Sequence, residues 1–256
     1  MRLVKSGEPM DTEIQGIVEN HKTPCAVGSI SDSGACPIGC SKKGGFPDVS
    51  NHFVWPSYQG KHLSFIVQIE ARYFLGNNAP GILSFYWNER NWGGSIKDDE
   101  AFCALYTELP ATRLNVAPQS EYRALGLFRR TDTPTIWKEE VLDLRDSFCL
   151  PSIGRLDHMN YDWDCDRDDL YYREMEGLSA FLRIGGLPNP VQNDDMEDNC
   201  ARIRNDGTSE SWQLLLEIES DSDMLWGDAG KLYWFIHQDD LAKRDFSRIW
   251  MQMQCH

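Results

Sequence analysis

The sequence predicts an α+β domain in which strands outweigh a few short helices and two similar halves share one core. Three observations predict it: a strand pattern that occurs twice at one fixed offset, apolar runs too continuous for strands with a wet face, and ample apolar material for one interior. Of the 256 residues, 41% are hydrophobic and 11% aromatic. Burying that much apolar area, at roughly 25 cal/mol per Å², offsets the chain entropy of folding without disulfides or metal. One domain over residues 1–256 is therefore expected, although the length is above the commonest domain size.

The elements follow in chain order. Asp11-Thr12 is a helix-start signal, and Ile14, Ile17 and Val18 recur at helical spacing behind it, so a short amphipathic helix is expected over Asp11–Lys22. Residues 28–48, rich in Gly, Ser, Pro and Lys, read as a loop. That loop leads through Gly44-Gly45-Phe46-Pro47 and Trp55-Pro56 to a strand over Leu63–Ile69. Further strands are expected over Phe102–Thr107 and Tyr122–Arg129, and a helix over Asp168–Phe181 with Leu170, Met175 and Leu178 inward. A helical turn at Asp239–Arg244 and a closing strand in Ser247–Gln254 complete the chain.

The repeat is the most informative feature. Leu63 to Glu70 followed by Pro80 to Tyr86 in the first half matches Trp212 to Glu219 followed by Ala229 to Phe235 in the second. A constant shift superposes Ile69 on Ile218, Glu70 on Glu219, Gly81 on Gly230 and Leu83 on Leu232. Upstream, Gly44-Gly45-Phe46-Pro47 has a counterpart in Gly185-Gly186-Leu187-Pro188. Each unit is thus a strand pair with Gly where the chain turns or a backbone approaches closely. Runs this apolar imply cover on both faces, which neither pair provides alone. The repeat units, about 44–90 and 185–240, are expected to close over one core about an internal pseudo-twofold, with a variable segment of about 97–183 between them.

Charge and cysteines bound the setting. The net charge is −15, and it is lopsided: residues 1–156 carry 18 acids against 16 bases, residues 157–256 carry 22 against 9. Such a field repels nucleic acid and anionic lipid and steers a cationic partner. The first residues hold Glu8 and Asp11 and no apolar leader, and no stretch nears the ~20 apolar residues of a membrane span. A cytoplasmic protein is expected, with its eight cysteines as reduced, mostly packed thiols.

Several blocks together resemble the YwqG-like family of mostly bacterial proteins: Gly44 to Pro47, Trp55-Pro56, Gln68-Ile69, Pro80 to Phe85, Gly185 to Gln192, and above all Trp212 to Glu219 with Met224 to Ile236, Asp240-Leu241 and Arg244 to Phe246. The resemblance spans roughly residues 40–256 and fades between Lys97 and Arg183. It implies a mixed fold built largely of antiparallel sheet. It implies no reaction. Similar proteins occur as immunity partners of secreted bacterial toxins, which makes a cognate toxin or effector protein with a basic surface the expected partner.

The chemistry-bearing motifs agree with a binding role. Gly-x-Ser-x-Gly, His-Glu-x-x-His, Gly-x-x-x-x-Gly-Lys and Gly-x-Gly-x-x-Gly are all missing from the sequence. No enzyme, catalytic residue, cofactor or metal is expected. Cys36 and Cys40 could give two thiolates to zinc with Cys25 or His52, but thiols without metal are the plainer reading. Asp162 to Asp168 imitates a calcium loop and then fails, with Arg167 where Gly belongs and Arg173 where a bidentate Glu belongs. Tyr161, Asp162, Trp163, Asp164, Asp166, Asp168, Asp169, Tyr171 and Tyr172 instead mix carboxylate acceptors with aromatic anchors, as protein interfaces do. They are the candidate partner surface. The alternative function is a small-molecule-binding protein, or an enzyme of unknown reaction, with a pocket between the halves at Trp226 and Asp228, preceded by Asp221 and Asp223.

Overall fold

Twelve antiparallel pairings and no parallel one join the strands among the described residues. The computed structural model describes residues 12–32, 34, 36–124, 128–156 and 165–256. Its first half comprises α1 (Thr12–His21), β1 (Thr23–Ile30), β2 (Lys42–Lys43), β3 (Asp48–Val49), β4 (Ser57–Tyr58), β5 (Lys61–His62), β6 (Ser64–Glu70), α2 (Arg72–Leu75), β7 (Ile82–Trp87) and β8 (Phe102–Thr107). The middle adds β9 (Thr112–Arg113), β10 (Ser120–Ala124), β11 (Phe128–Asp132), β12 (Glu140–Cys149), α3 (Ile153–Leu156) and α4 (Cys165–Gly177). The last part holds β13 (Leu182–Ile184), α5 (Met196–Arg204), β14 (Trp212–Glu219), β15 (Lys231–His237), α6 (Gln238–Ala242) and β16 (Trp250–Gln254).

Ten strands form one sheet in the order β16-β15-β14-β13-β1-β12-β2-β6-β7-β8. Counting inward from the two edges, β15 and β7 are both second, and β14 and β6 are both third. Both β6 and β14 carry a register shift against their neighbours, between Phe65 and Val67 and between Leu214 and Leu216. At the shift in β6 the carbonyl of Ile66 accepts from Gly44 N at 2.9 Å, and in β14 the carbonyl of Leu215 accepts from Gly185 N at 3.4 Å. A bulge frees a carbonyl from its ladder, and here the Gly-Gly turn takes it up.

In a flat sheet β15 and β7 would stand seven strand spacings apart, about 34 Å. Instead Phe85 and Trp234 touch, with ring centroids 5.3 Å apart, and Phe102 meets Trp250 at 5.1 Å. The sheet therefore bends until its two ends face each other. One buried cluster runs through Phe65, Ile69, Phe85, Trp87, Leu216, Ile218, Trp234 and Trp250. A second, smaller cluster packs α1 on α4 through Ile14, Ile17, Val18, Leu156 and Tyr171.

Several expectations change. The loop expected over 28–48 begins inside β1, a strand starting at Thr23, and β12 was not expected at all. Both lie at the middle of the sheet, yet Ser29, Ile30, Asp143, Arg145 and Asp146 are exposed, so neither has the continuous apolar run of β6 or β14. The single strand expected over Tyr122–Arg129 is two strands, β10 and β11, paired from Ser120↔Asp132 to Ala124↔Phe128. The helix expected from Asp168 starts at Cys165 and ends at Gly177, short of Phe181.

Candidate functional site

Two buried polar arrangements hold the Gly-Gly turns and set the floor of the interior. Asp48, fully buried, accepts at Oδ1 from Arg113 Nε (2.7 Å) and at Oδ2 from Gly39 N (2.7 Å), Gln68 Nε2 (2.8 Å) and Arg113 Nη2 (3.1 Å). Burial alone would raise its pKa; the Arg113 guanidinium, the N–H of Gly39 and the Gln68 amide outweigh that, and the carboxyl titrates below its ordinary value. Arg113 also donates to the carbonyls of Cys36 (2.8 Å) and Pro37 (3.1 Å). The Cys36 to Cys40 loop is thus wrapped around an ion pair, with its two Sγ atoms 3.0 Å apart.

The second arrangement uses the same bonds with different side chains. Gln68 Oε1 accepts from Asp48 N at 2.9 Å, and Glu217 Oε2 accepts from Asn189 N at 2.8 Å. Lys42 Nζ donates to Phe46 O at 2.5 Å, and Arg183 Nη1 donates to Leu187 O at 3.1 Å. These groups are enclosed and bonded to their own turns, with Arg183 Nε alone among their donors left without a partner among the described residues. They bear on rigidity rather than on a ligand.

A cavity of about 340 Å³ opens where the two halves meet. Trp226, only 1% exposed, stands against Trp87 with ring centroids 5.5 Å apart and against Trp137 at 5.7 Å, both edge to face. Its indole N–H donates to the Glu219 carbonyl at 3.2 Å, and that of Trp87 to the Asn91 carbonyl at 2.6 Å. Trp92, 57% exposed, and Leu225 form an apolar rim, with Met253 of β16 and Gly227 also lining the cavity.

The rim is fixed by a close approach. Trp92 O accepts from Met253 N at 3.2 Å, and Gly93 O accepts from the Trp250 indole at 3.2 Å. At Gly93, φ is +74° and a Cβ would lie 1.7 Å from Met251 O. Only glycine lets this loop lie on β16.

Two carboxylates border the aromatic surface. Glu89 Oε1 accepts from Ser64 Oγ at 3.0 Å, and Asp223 Oδ2 accepts from Lys138 N at 2.8 Å. Asp221, behind them, pairs with the buried Lys43 and accepts from the N–H groups of Asp223 and Met224, which anchors the turn that presents Asp223. Burial would raise the Asp221 carboxyl, but the Lys43 ammonium and those N–H groups hold it below its ordinary value.

Of the expected pocket residues, Trp226 is at the cavity floor, whereas Asp228 is exposed and does not line it; its carbonyl accepts from His256 N at 3.3 Å. Trp87, Glu89, Trp92 and Trp137 were not foreseen. The one sequence hint was the high tryptophan content, which does not say which indoles meet.

The expected partner surface divides. Tyr161, Asp162, Trp163 and Asp164 lie outside the described residues, and Asp166 falls in the first turn of α4. Asp169 and Tyr172 are exposed on α4, Tyr172 at 52%, and Arg173 and Glu176 share that face by their spacing. Asp168 is half-buried. Tyr171 is a correction: it is fully buried against α1, and its hydroxyl donates to Pro151 O at 2.9 Å. Position 171 points to the opposite side of the helix from 169 and 173.

A cleft of about 670 Å³ is lined by Asp194, Glu197 and Arg155, but these close on each other, Arg155 Nη2 lying 2.5 Å from Asp194 Oδ1 and 2.9 Å from Glu197 Oε2. Among the described residues no group of three or more His, Cys, Asp or Glu is placed to hold a metal ion, so Cys25 and His52 do not complete a site with Cys36 and Cys40. No helix among them is long and apolar enough to cross a membrane. Comparison with known proteins finds one family model matching residues 41–255, with a description that assigns no activity. No curated protein matches the chain.

Proposed function

The chain belongs to that family, the Domain of unknown function (DUF1963), and we propose that it acts by binding, as an immunity-type protein that holds a cognate secreted bacterial toxin and covers its active site or substrate groove. The observation that carries this reading is the outer face of α4, where Asp169, Tyr172 and Glu176 are exposed together. It lies in the part of the chain where 22 acids face 9 bases. An aromatic anchor flanked by two carboxylates, with Arg173 as the one base on the face, fits a basic protein surface such as a nuclease presents to phosphate. The resemblance to the YwqG-like family supplies the biological setting. In this reading the protein is cytoplasmic and catalyses nothing. The test is to mix the purified protein with the product of the adjacent gene and measure binding and toxin activity; absence of both binding and inhibition removes the proposal.

A second reading, a small-molecule-binding protein, is favoured by the tryptophan-lined cavity between the halves. We also infer that the halves arose by internal duplication. The paired bulges in β6 and β14 and the matched bonds at Gln68 and Glu217 support this. An experimental structure with the two bulges in different registers would overturn it.

A further inference from the structure

We propose that the cavity at Trp226 is a binding site for a small quaternary ammonium cation. The proposal rests on the second reading above, that this cavity takes a small ligand, and adds what the ligand must be.

The lining chemistry selects the charge. Four indoles, those of Trp87, Trp92, Trp137 and Trp226, are gathered at one cavity, and among the described residues the only ionisable side chains lining it are Glu89 and Asp223. Indole faces attract cations through their quadrupole, and several together make a cage whose attraction grows as water is excluded. An anion would meet two carboxylates here. A neutral apolar ligand would be served by the rings but would draw nothing from the two exposed carboxylates.

The two carboxylates are ready for a cation. Each is oriented by an uncharged donor, Ser64 Oγ on Glu89 and the backbone N–H of Lys138 on Asp223. Among the described residues neither lies within salt-bridge distance of a cationic side chain. Lys138, whose backbone N–H holds Asp223, sends its Nζ to Glu140 Oε1 at 2.6 Å.

Size and shape narrow the class further. A volume of about 340 Å³ is at the small end of ligand sites and suits a compact head group rather than a nucleotide or a peptide. A methylated ammonium spreads its charge over an apolar surface and has no N–H to satisfy. It therefore needs rings and nearby carboxylates rather than hydrogen-bond acceptors aimed at it. Trp92, 57% exposed, supplies most of the aromatic surface, backed by Trp87 and Trp226, which are 2% and 1% exposed and have their indole N–H groups bonded to backbone carbonyls.

The test is calorimetry and tryptophan fluorescence on the full chain with choline, tetramethylammonium and the uncharged isostere of choline, 3,3-dimethylbutan-1-ol. Both cations are expected to bind and perturb the emission, and the isostere to bind at least ~10-fold more weakly, the loss of a desolvated cation–π and carboxylate contribution. Trp92→Ala, at an exposed rim position that leaves the core intact, is expected to weaken choline binding roughly fivefold. Glu89→Gln with Asp223→Asn should erase the preference for choline over the isostere. If the isostere binds as tightly as choline, the cation assignment is overturned while the small-ligand reading stands. If none of the three binds to protein with a native circular-dichroism spectrum, both are overturned.

Discussion

Trp226 meets Trp87 edge to face with ring centroids 5.5 Å apart, a contact between a loop of the second half and the last residue of β7 in the first. Trp137 adds a third ring to the same cluster, 5.7 Å from Trp226. This indole is therefore both a joint between the halves and the floor of the cavity. Trp226→Ala is expected to destabilise the protein by about 3–5 kcal/mol, the range for emptying a buried aromatic site, and Trp226→Phe by less. Urea unfolding checks it, and a loss below about 1 kcal/mol for the alanine variant would show that the halves do not depend on this ring.

Gly93 is the second joint. Its Cβ position falls 1.7 Å from the Met251 carbonyl, and its own carbonyl holds the Trp250 indole. Gly93→Ala is expected to lift the loop from β16 and to cost at least about 2 kcal/mol, through both the positive φ and the backbone clash. The Trp emission should shift as the Trp92 rim detaches. Wild-type stability and emission in this variant would contradict the close approach.

Asp48 sets an acid limit to stability. Its folded pKa is held below the unfolded value of about 3.9, so its contribution is fully present above that value and is lost as the pH falls through the folded pKa. Asp48→Asn is expected to cost about 3 kcal/mol near neutral pH by leaving Arg113 without its buried partner. The difference from wild type should then shrink as the pH falls below about 4. Thermal melts of both proteins between neutral and acid pH read that difference, and a constant gap would rule out ionised Asp48 as the cause.

The α4 face separates binding from folding. Asp169→Lys with Glu176→Lys changes only exposed positions and is expected to leave stability within about 0.5 kcal/mol of wild type. Association with the cognate toxin should slow and lose part of its salt dependence, because steering acts mainly on the on-rate. Stopped-flow or surface-based kinetics decide it; an unchanged on-rate across salt concentrations removes α4 from the interface.

The sequence carried the strands whose burial is complete. Leu63 to Ile69 and Leu214 to Ile218 are mostly apolar, and the structure buries every residue of both runs. The helix at Ile14, Ile17 and Val18 was legible for the same reason, since a single apolar stripe is buried against α4. β1 and β12 were not legible, because a strand with exposed Asp143, Arg145 and Asp146 owes its place to hydrogen bonds with neighbours rather than to its own pattern. Asp48 and Arg113 were equally silent, being an ordinary acid and base until the fold buries the one and brings the other to it.

Local composition thus determined which segments must be covered, the repeat of strand and Gly-Gly turn, and the acidic balance of the last hundred residues, because burial preference and charge belong to each residue wherever it ends up. Tertiary structure decided which tryptophans meet, that Asp223 rather than Asp228 borders their cavity, and that Tyr171 turns inward while Tyr172 faces out. Those outcomes depend on how far the sheet bends and how a helix is rotated on its neighbour, which are set by contacts between segments distant in the chain.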